Sequence, residues 1–211
     1  MRRIGAVDDG VLAAALTAAL GGDEAGFEAL WLAFQPALLR YLRVLVGDAA
    51  EDVASETWLQ AARDLPGFVG DLVAFRVWLF RIGRHRGIDD RRRVRRRPED
   101  PYDPATQDHA AAAGRDAALD VIERLGTEWA LEVVASLPPD QAEAVMLRIV
   151  AGLDVAQTAA VLGKRPGAVR VAAMRGLRKL ANHPQVLARV AEQARGTGGR
   201  SPLDSAQPEG V

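Results

Sequence analysis

FRVWLFRIGRHRGIDDRRRVRRR, residues Phe75 to Arg97, is the stretch on which the fold turns. Phe75, Trp78, Leu79 and Ile82 stand at i, i+3, i+4 and i+7, the spacing of one apolar stripe on an α-helix. Arg81, Arg84, Ile88, Arg91 and Arg95 follow at three- and four-residue steps on another face, which makes that face basic. A helix with an oily face and an arginine face is half buried, and its open half suits something negative. Trp78 has apolar neighbours at helical spacing, so it is expected to pack mainly in the core under the arginine face.

Upstream, Pro66 and Gly67 break the chain, and Phe68-Val69-Gly70-Asp71 predicts a loop. Before the break, a helix is predicted from Asp48 to about Asp64, with Ala54, Trp58, Ala61 and Leu65 on its buried side. Asp48 and Glu51 have the spacing of a capping pair. Asp48, Asp52 and Glu56 lie four apart on the outer side, where like charges cost an isolated helix roughly a few tenths of a kcal/mol per pair. The helix dipole favours acids in the first turn, which covers Asp48 and Asp52 but not Glu56. Further back, Val11 to Leu20 predicts a short helix closed by Gly21-Gly22. Asp23 can cap the next helix, whose stripe is Phe27, Leu30, Trp31 and Phe34. Pro36 either kinks that helix or starts another; Leu38, Leu39, Leu42 and Leu45 are core contacts, and Gly47 is the stop.

Downstream, residues 98–115 carry prolines and acids without periodicity and predict a flexible linker. A second helical unit starts near Asp116, with Leu119, Ile122 and Leu125 before Gly126, then Trp129, Val133 and Leu137. Pro138-Pro139-Asp140 starts a helix to Ile149 or Val150, Asp154 caps a short helix ending at Gly163, and Pro166 opens a last helix to about Asn182. Val155 to Met174 fits a helix-turn-helix: Ala159 is small where the helices touch, Gly163 sits at the turn, and Leu162, Val169 and Ala172 fall at buried positions. The second helix presents Arg165, Arg170, Met174, Arg175, Arg178 and Lys179 outward. Such a helix enters the major groove at its N-terminal part; the alternative is an ordinary helical hairpin with a solvated basic face.

The fold class expected is all-α: two small helical domains joined by a flexible linker, the second containing the helix-turn-helix. The divisions are 1–97, linker 98–115, 116–182 and a largely disordered tail 183–211. Of the 211 residues, 49% are hydrophobic and 26% charged, ordinary for a globular protein. Net charge is −1, so the basic character is local. The sequence has no cysteine, which excludes disulfides, thiol catalysis and cysteine-ligated zinc. The apolar run Val11 to Leu20 is too short to span a bilayer. A cytoplasmic protein without a membrane partner is expected.

Three blocks resemble one family, the extracytoplasmic-function (ECF) sigma factors of bacterial RNA polymerase. DAAEDVASETW (Asp48 to Trp58) is similar to the family's Asp-Ala-Glu-Asp-Val-x-Gln-Glu-x-Phe signature. FRVWLFRIGRHRGIDDRRR (Phe75 to Arg93) is similar to its Trp-Leu-Tyr-x-Ile-Ala-Arg-Asn…Asp-x-x-Arg-Arg pattern, and Leu137 to Leu180 to its helix-turn-helix unit. The resemblance implies a sigma factor that directs polymerase core to promoters and assists their melting. It implies core contacts at Asp48, Asp52, Ser55 and Glu56. For the −10 element it implies Phe68, Val69 and Asp71, which would hold a flipped base, with Arg81, Arg84, His85, Arg91 and Arg92. For the −35 element it implies Arg165, Gly167, Arg170, Val171, Met174 and Arg175. The partners implied are RNA polymerase core, promoter DNA and, as is typical of the family, an anti-sigma factor. Ser55 stands where the family has glutamine, His85 where it has asparagine, and Val171 where serine is commoner, so core affinity and promoter preference are open to change.

A helix-turn-helix regulator acting without polymerase core is the main alternative, though it leaves the acidic column and the Phe75–Arg97 helix unexplained. A sigma-like protein that sequesters a partner is another. Catalysis is not expected. Asp89-Asp90 and Glu51-Asp52 are adjacent, and adjacent helical residues point about 100° apart. His85, His109 and His183 show no metal-ligand spacing, and neither metal nor cofactor is expected.

Overall fold

The structure, a computed structural model, describes residues 8–96 and 128–197. The linker 98–115, the helix start at Asp116 with Leu119, Ile122, Leu125 and Gly126, His109, and the tail from 198 on lie outside the described residues.

Helix α1 is Asp9–Leu20, α2 Glu24–Val46, α3 Ala50–Asp64 and α4 Leu72–Arg96. Helix α5 covers 128–135 of the described residues. It is followed by α6 Pro139–Ile149, α7 Val155–Leu162, α8 Pro166–Ala181 and α9 Pro184–Thr197. The described residues contain no strand. Asp8, Asp23 and Asp154 cap α1, α2 and α7 by accepting a backbone N–H, each satisfying an otherwise orphan donor.

Helix α2 runs unbroken through Pro36. Its buried side is Leu30, Phe34, Leu38, Tyr41, Leu42 and Leu45. The segment Glu24–Gly67 includes an 18-residue window long and apolar enough to cross a membrane by composition alone, yet Leu30, Leu38 and Leu42 are fully enclosed by the bundle. Trp31, expected in the stripe, is 40% exposed. It stands one residue after Leu30, about 100° round the helix from the buried side.

The start of α3 differs from the expectation. Gly47–Ala49 forms a 3-10 turn, Ala49 is the N-cap, and no side chain caps the helix. Asp48 therefore lies outside α3, and the acids of the first turn are Glu51 and Asp52. The three residues of the tighter turn remove Asp48 from the column with Asp52 and Glu56.

Helix α4 begins at Leu72 because Asp71 caps it: Ala74 N donates to Asp71 Oδ1 at 2.8 Å. Phe75, Leu79, Phe80 and Ile82 are buried, as the apolar stripe requires. The rings of Phe34, Phe68, Phe75 and Trp78 pack together at centroid distances of 5.1 to 5.9 Å.

Close approach of helices is set by small residues. A Cβ on Gly26 would lie 2.6 Å from the Ala15 carbonyl oxygen and 2.8 Å from Ala19 N, so glycine lets α2 cross α1 at backbone contact. Gly26→Ala is expected to destabilise the chain by about 1–3 kcal/mol, because overpacking against backbone outweighs the helix-propensity gain of roughly 1 kcal/mol. Urea unfolding followed by circular dichroism reads this, and a raised midpoint would refute the contact.

In the C-terminal unit, Leu131, Ala144, Met146, Leu147, Leu153 and Val161 bury in the same cluster as the residues of α1–α4. Helices α2 and α4 pack on α6 and α7, so the two units meet across an apolar seam. Residues 184–197, expected to lack structure, form α9, with the Arg189 guanidinium 4.6 Å from the Trp129 ring centroid. The glycine- and proline-rich composition that suggested disorder begins only after Gly196, whereas Val186-Leu187-Ala188-Arg189-Val190 propagates a helix well.

Candidate nucleic-acid interface

The helix-turn-helix is built as its residues dictate. Asp154 Oδ1 accepts from Gln157 N and Gln157 Oε1 accepts from Asp154 N, both at 2.8 Å, a closed capping box at the start of α7. Gly163 takes φ 65° and ψ 33°, a left-handed turn that glycine adopts without steric cost. Ala159, Leu162 and Val169 are buried between the helices, and Ala172 is half-buried. Lys164 ties the turn to α6 through Asp140 at 2.6 Å. Gly176 lets α8 press on α6, where an added Cβ would meet Val145 Cγ2 at 2.8 Å.

This packing leaves one face of α8 open. Arg165 is the N-cap, Gly167 is exposed with nothing within 4 Å of a virtual Cβ, and Arg170, Val171, Met174 and Arg175 are all exposed. The six residues singled out for duplex contact therefore share a solvent-facing surface at the N-terminal two-thirds of α8.

On α4, Arg81, His85, Arg91 and Arg92 are exposed. Arg92 is partnered by Asp89 at 3.3 Å, and Ile88, Arg91, Arg92 and Arg95 line a shallow basic groove of about 260 Å³. Asp89 and Asp90 diverge: the first is exposed, the second buried and bonded to Arg93 at 2.6 Å. Arg84 departs from its expected place on the open basic face. Its Nε donates to Glu143 Oε2 at 2.6 Å, and its side chain is 18% exposed. Helix α6, packed on α2, supplies the Glu143 carboxylate that draws the guanidinium inward.

The loop 68–71 is divided. Val69 projects fully, at 93% exposure, while the Phe68 ring lies on Trp78 and Phe75, and Asp71 is engaged as the α4 cap. A cavity of about 890 Å³ opens beside it, lined by Phe68, Val69, Trp78 and Arg81, with Ala156, Gln157 and Ala160 of α7 on its other side. Trp78 is half-buried and contributes one face to this cavity.

Asp52, Ser55 and Glu56 are exposed along α3, with Asp48 exposed in the preceding turn. Ser55 Oγ donates to the Glu51 carbonyl at 2.9 Å. Glu56 has a partner within the chain, Arg86 at 3.9 Å, and Glu51 has Arg43 at 3.4 Å. Self-repulsion of the column is thus partly relieved from within, and it does not demand an outside cation. Leu59, 66% exposed and one helical repeat from Asp52, extends the same strip. Sequence reasoning missed it, although a leucine out of phase with Ala54, Trp58, Ala61 and Leu65 was a usable signal. Glu143 was missed too, because nothing local marks an acid for burial. Among the described residues no group of His, Asp and Glu side chains is arranged to hold a metal.

Residues 30–97 match the family model "Sigma-70 region 2" and residues 127–180 match "Sigma-70, region 4". The chain is 32% identical over 188 residues to the ECF RNA polymerase sigma factor ShbA of Streptomyces griseus, covering 81% of this chain and 93% of that protein. It is 34% identical over 165 residues to the ECF RNA polymerase sigma factor BldN of Streptomyces coelicolor, covering 77% of this chain but 62% of the relative's length. Its fold is similar to that of CnrH, solved in complex with the cytosolic domain of CnrY, with TM-score 0.56, 23% identity, and coverage of 82% and 96%.

Proposed function

The chain belongs to the ECF sigma factors, the subunits that direct RNA polymerase to promoters, and we propose that its described surfaces divide that task in the following way. The α8 face of Arg165, Gly167, Arg170, Val171, Met174 and Arg175 reads the −35 element as duplex. Arginine can bond guanine edges or phosphates there, and Val171 can meet a thymine methyl. The α4 face of Arg81, His85, Arg91 and Arg92 neutralises phosphates of the −10 element as its strands part, while Arg84 is held back from that face by Glu143. Phe68 and Val69 bound the cavity that receives a flipped base, and Asp71 holds that loop by capping α4. The strip Asp52, Ser55, Glu56 and Leu59, with Asp48 beside it, docks on a helical arm of polymerase core.

The observation that supports this reading is the presence of two separate exposed basic faces on one chain, on α8 and on α4, the α4 face lying beside an open cavity with Phe68 and Trp78 in its wall. Duplex binding by a simple regulator would need only α7 and α8. An aromatic cavity ahead of a row of arginines suits unpaired bases. Residues 1–97 form the core- and −10-binding unit, 116–182 the −35-binding unit, and 98–115 the connection between them. The protein binds and positions in the cytoplasm; bond-making belongs to the polymerase. An anti-sigma factor is a further partner, in keeping with the similar sigma factor RpoE from Bartonella quintana, solved in complex with the anti-sigma factor NepR.

Reconstituted transcription with core polymerase and a pool of genomic fragments tests the whole. Specific transcripts and co-elution with core are expected, and absence of both would sink the reading. Glu56→Arg tests the division. It reverses a charge on the docking strip and sets it against Arg86, so core binding is expected to fall by about tenfold or more while duplex binding through α8 is retained. Unchanged co-elution with core would remove α3 from the docking surface.

A further inference from the structure

The reading face of α8 is held unevenly along its length. The C-terminal half of the helix lies on α6. There an added Cβ on Gly176 would meet Val145 Cγ2 at 2.8 Å and Gln141 Cβ at 3.3 Å. Leu180 packs on the small cluster of Leu137, Ala142 and Val145. The middle is anchored by Val169, which is fully buried. The first turn has neither support. No side chain caps it, and a Cβ on Gly167 would meet nothing within 4 Å. The turn before it pivots on Gly163, and glycine resists backbone rotation least.

Among the described residues, one ion pair ties this turn to α6. Lys164 Nζ lies 2.6 Å from Asp140 Oδ1, an acid of the first turn of α6. Lys164 directly precedes Arg165, the N-cap of α8. The lysine side chain is 30% exposed and the aspartate 70%. Exposed ion pairs add little to folding stability, because water and salt screen them and long side chains lose freedom in making them. The pair therefore sits where it does little for the fold and yet closes the unsupported end of α8. Attachments at 164, 169 and 176 together fix the angle of the helix. Without the first, its N-terminal turn can tilt about the other two.

That angle matters for reading. An arginine that bonds a base edge needs its donors in line with the acceptors, and hydrogen bonds weaken steeply once bent. A binding constellation has to be held to within about 0.5 Å of its productive geometry. Arg165, Gly167 and Arg170 all lie within two helical turns of Lys164, so a tilt at the turn reaches each of them.

We propose that Asp140 and Lys164 are a positioning pair for duplex reading: they set the pitch at which α8 presents Arg170 and its neighbours, and they contact no base themselves. The proposal rests on the assignment of α8 to the −35 duplex. It makes discrimination between sequences, rather than stability or overall affinity, the quantity that the pair governs.

A double-mutant cycle in the full chain bound to core polymerase tests this. Asp140→Asn and Lys164→Met each remove the attraction at nearly constant side-chain size. The quantity measured is the ratio of affinities for a promoter fragment with its −35 element intact and one with it scrambled. Each single change is expected to lower that ratio by about three- to fivefold, the upper range for an exposed pair. The double variant should fall no further than either single, because both remove the same link, and Lys164→Arg should keep the ratio. The thermal unfolding midpoint should stay where it is; a midpoint that falls along with the ratio would make the pair a plain structural bond and overturn the positioning role. An unchanged ratio in Asp140→Asn, or additive losses in the double variant, would overturn it too. Equal losses on intact and scrambled fragments in Lys164→Met would do the same, by making Lys164 a phosphate contact. Failure of the −35 assignment itself reads differently: Arg170→Ala with Arg175→Ala would then leave the ratio unchanged.

Discussion

Holoenzyme carrying Arg170→Ala together with Arg175→Ala is expected to lose its dependence on the −35 element, with core binding intact. Both side chains are exposed on α8 and take no part in the packing of α7 on α8, which rests on Ala159, Leu162 and Val169. Alanine is the best helix former, so the truncations should not disturb the fold. On the proposed division of surfaces, what they remove is contact with the duplex. A single arginine contact to a base edge contributes about 1–3 kcal/mol of discrimination. Two losses near 1.4 kcal/mol each make on the order of a hundredfold in promoter affinity. Transcription from a promoter with an intact −35 element, against one with that element scrambled, reads the effect, and co-elution with core is the control. A parallel loss of core binding would show that the division of roles between α3 and α8 is wrong.

Phe75→Ala is expected to cost the most stability of any single change in the α4 stripe. Phe75 is fully buried, and its ring lies 5.7, 5.8 and 5.9 Å from those of Trp78, Phe34 and Phe68. Phenylalanine-to-alanine changes in cores cost about 3–5 kcal/mol through lost transfer energy and the cavity left behind. That is a large part of the roughly 5–15 kcal/mol that holds a typical domain. The change should also loosen Phe68, and with it the cavity wall beside the 68–71 loop. Urea unfolding by circular dichroism measures the first effect. Val69→Ala is the comparison: at 93% exposure it should stay within about 0.5 kcal/mol of the unaltered chain. Equal losses in the two variants would contradict the core assignment of Phe75.

Much of the fold was legible because its signals are local. Helical periodicity marked Phe75, Leu79 and Ile82 as one buried face, and they are buried. Asp23, Asp154, Gly163 and Pro166 act as caps, turn and first-turn residue where their chemistry suggested. Errors gathered where two local solutions were close in energy. Asp48 had the spacing of a cap but entered a 3-10 turn, since Gly47 had already turned the chain. Pro36 was compatible with a kink or a new start, and packing of both flanks in one core kept α2 whole. Trp31 fitted a stripe on spacing but fell at its edge. The C-terminal helix α9 was hidden by the composition that follows it.

The sequence by itself determined the all-α class, the family, and which side chains of α8 face outward. The outward side chains follow from spacing within one element, the class from the same helical periodicity repeated along the chain, and the family from three blocks in a fixed order. Only the tertiary structure decided the state of Arg84. In the sequence it is one more arginine in a basic row, and residue 143 is one acid on a distant amphipathic helix. Burial of that carboxylate among Tyr41 and Arg84 depends on how α6 meets α2 and α4. A contact between residues 59 positions apart carries no periodic signature, so pattern along the chain cannot encode it. The physical reason is that a carboxylate's fate, solvated or paired, is set by whichever surface removes its water.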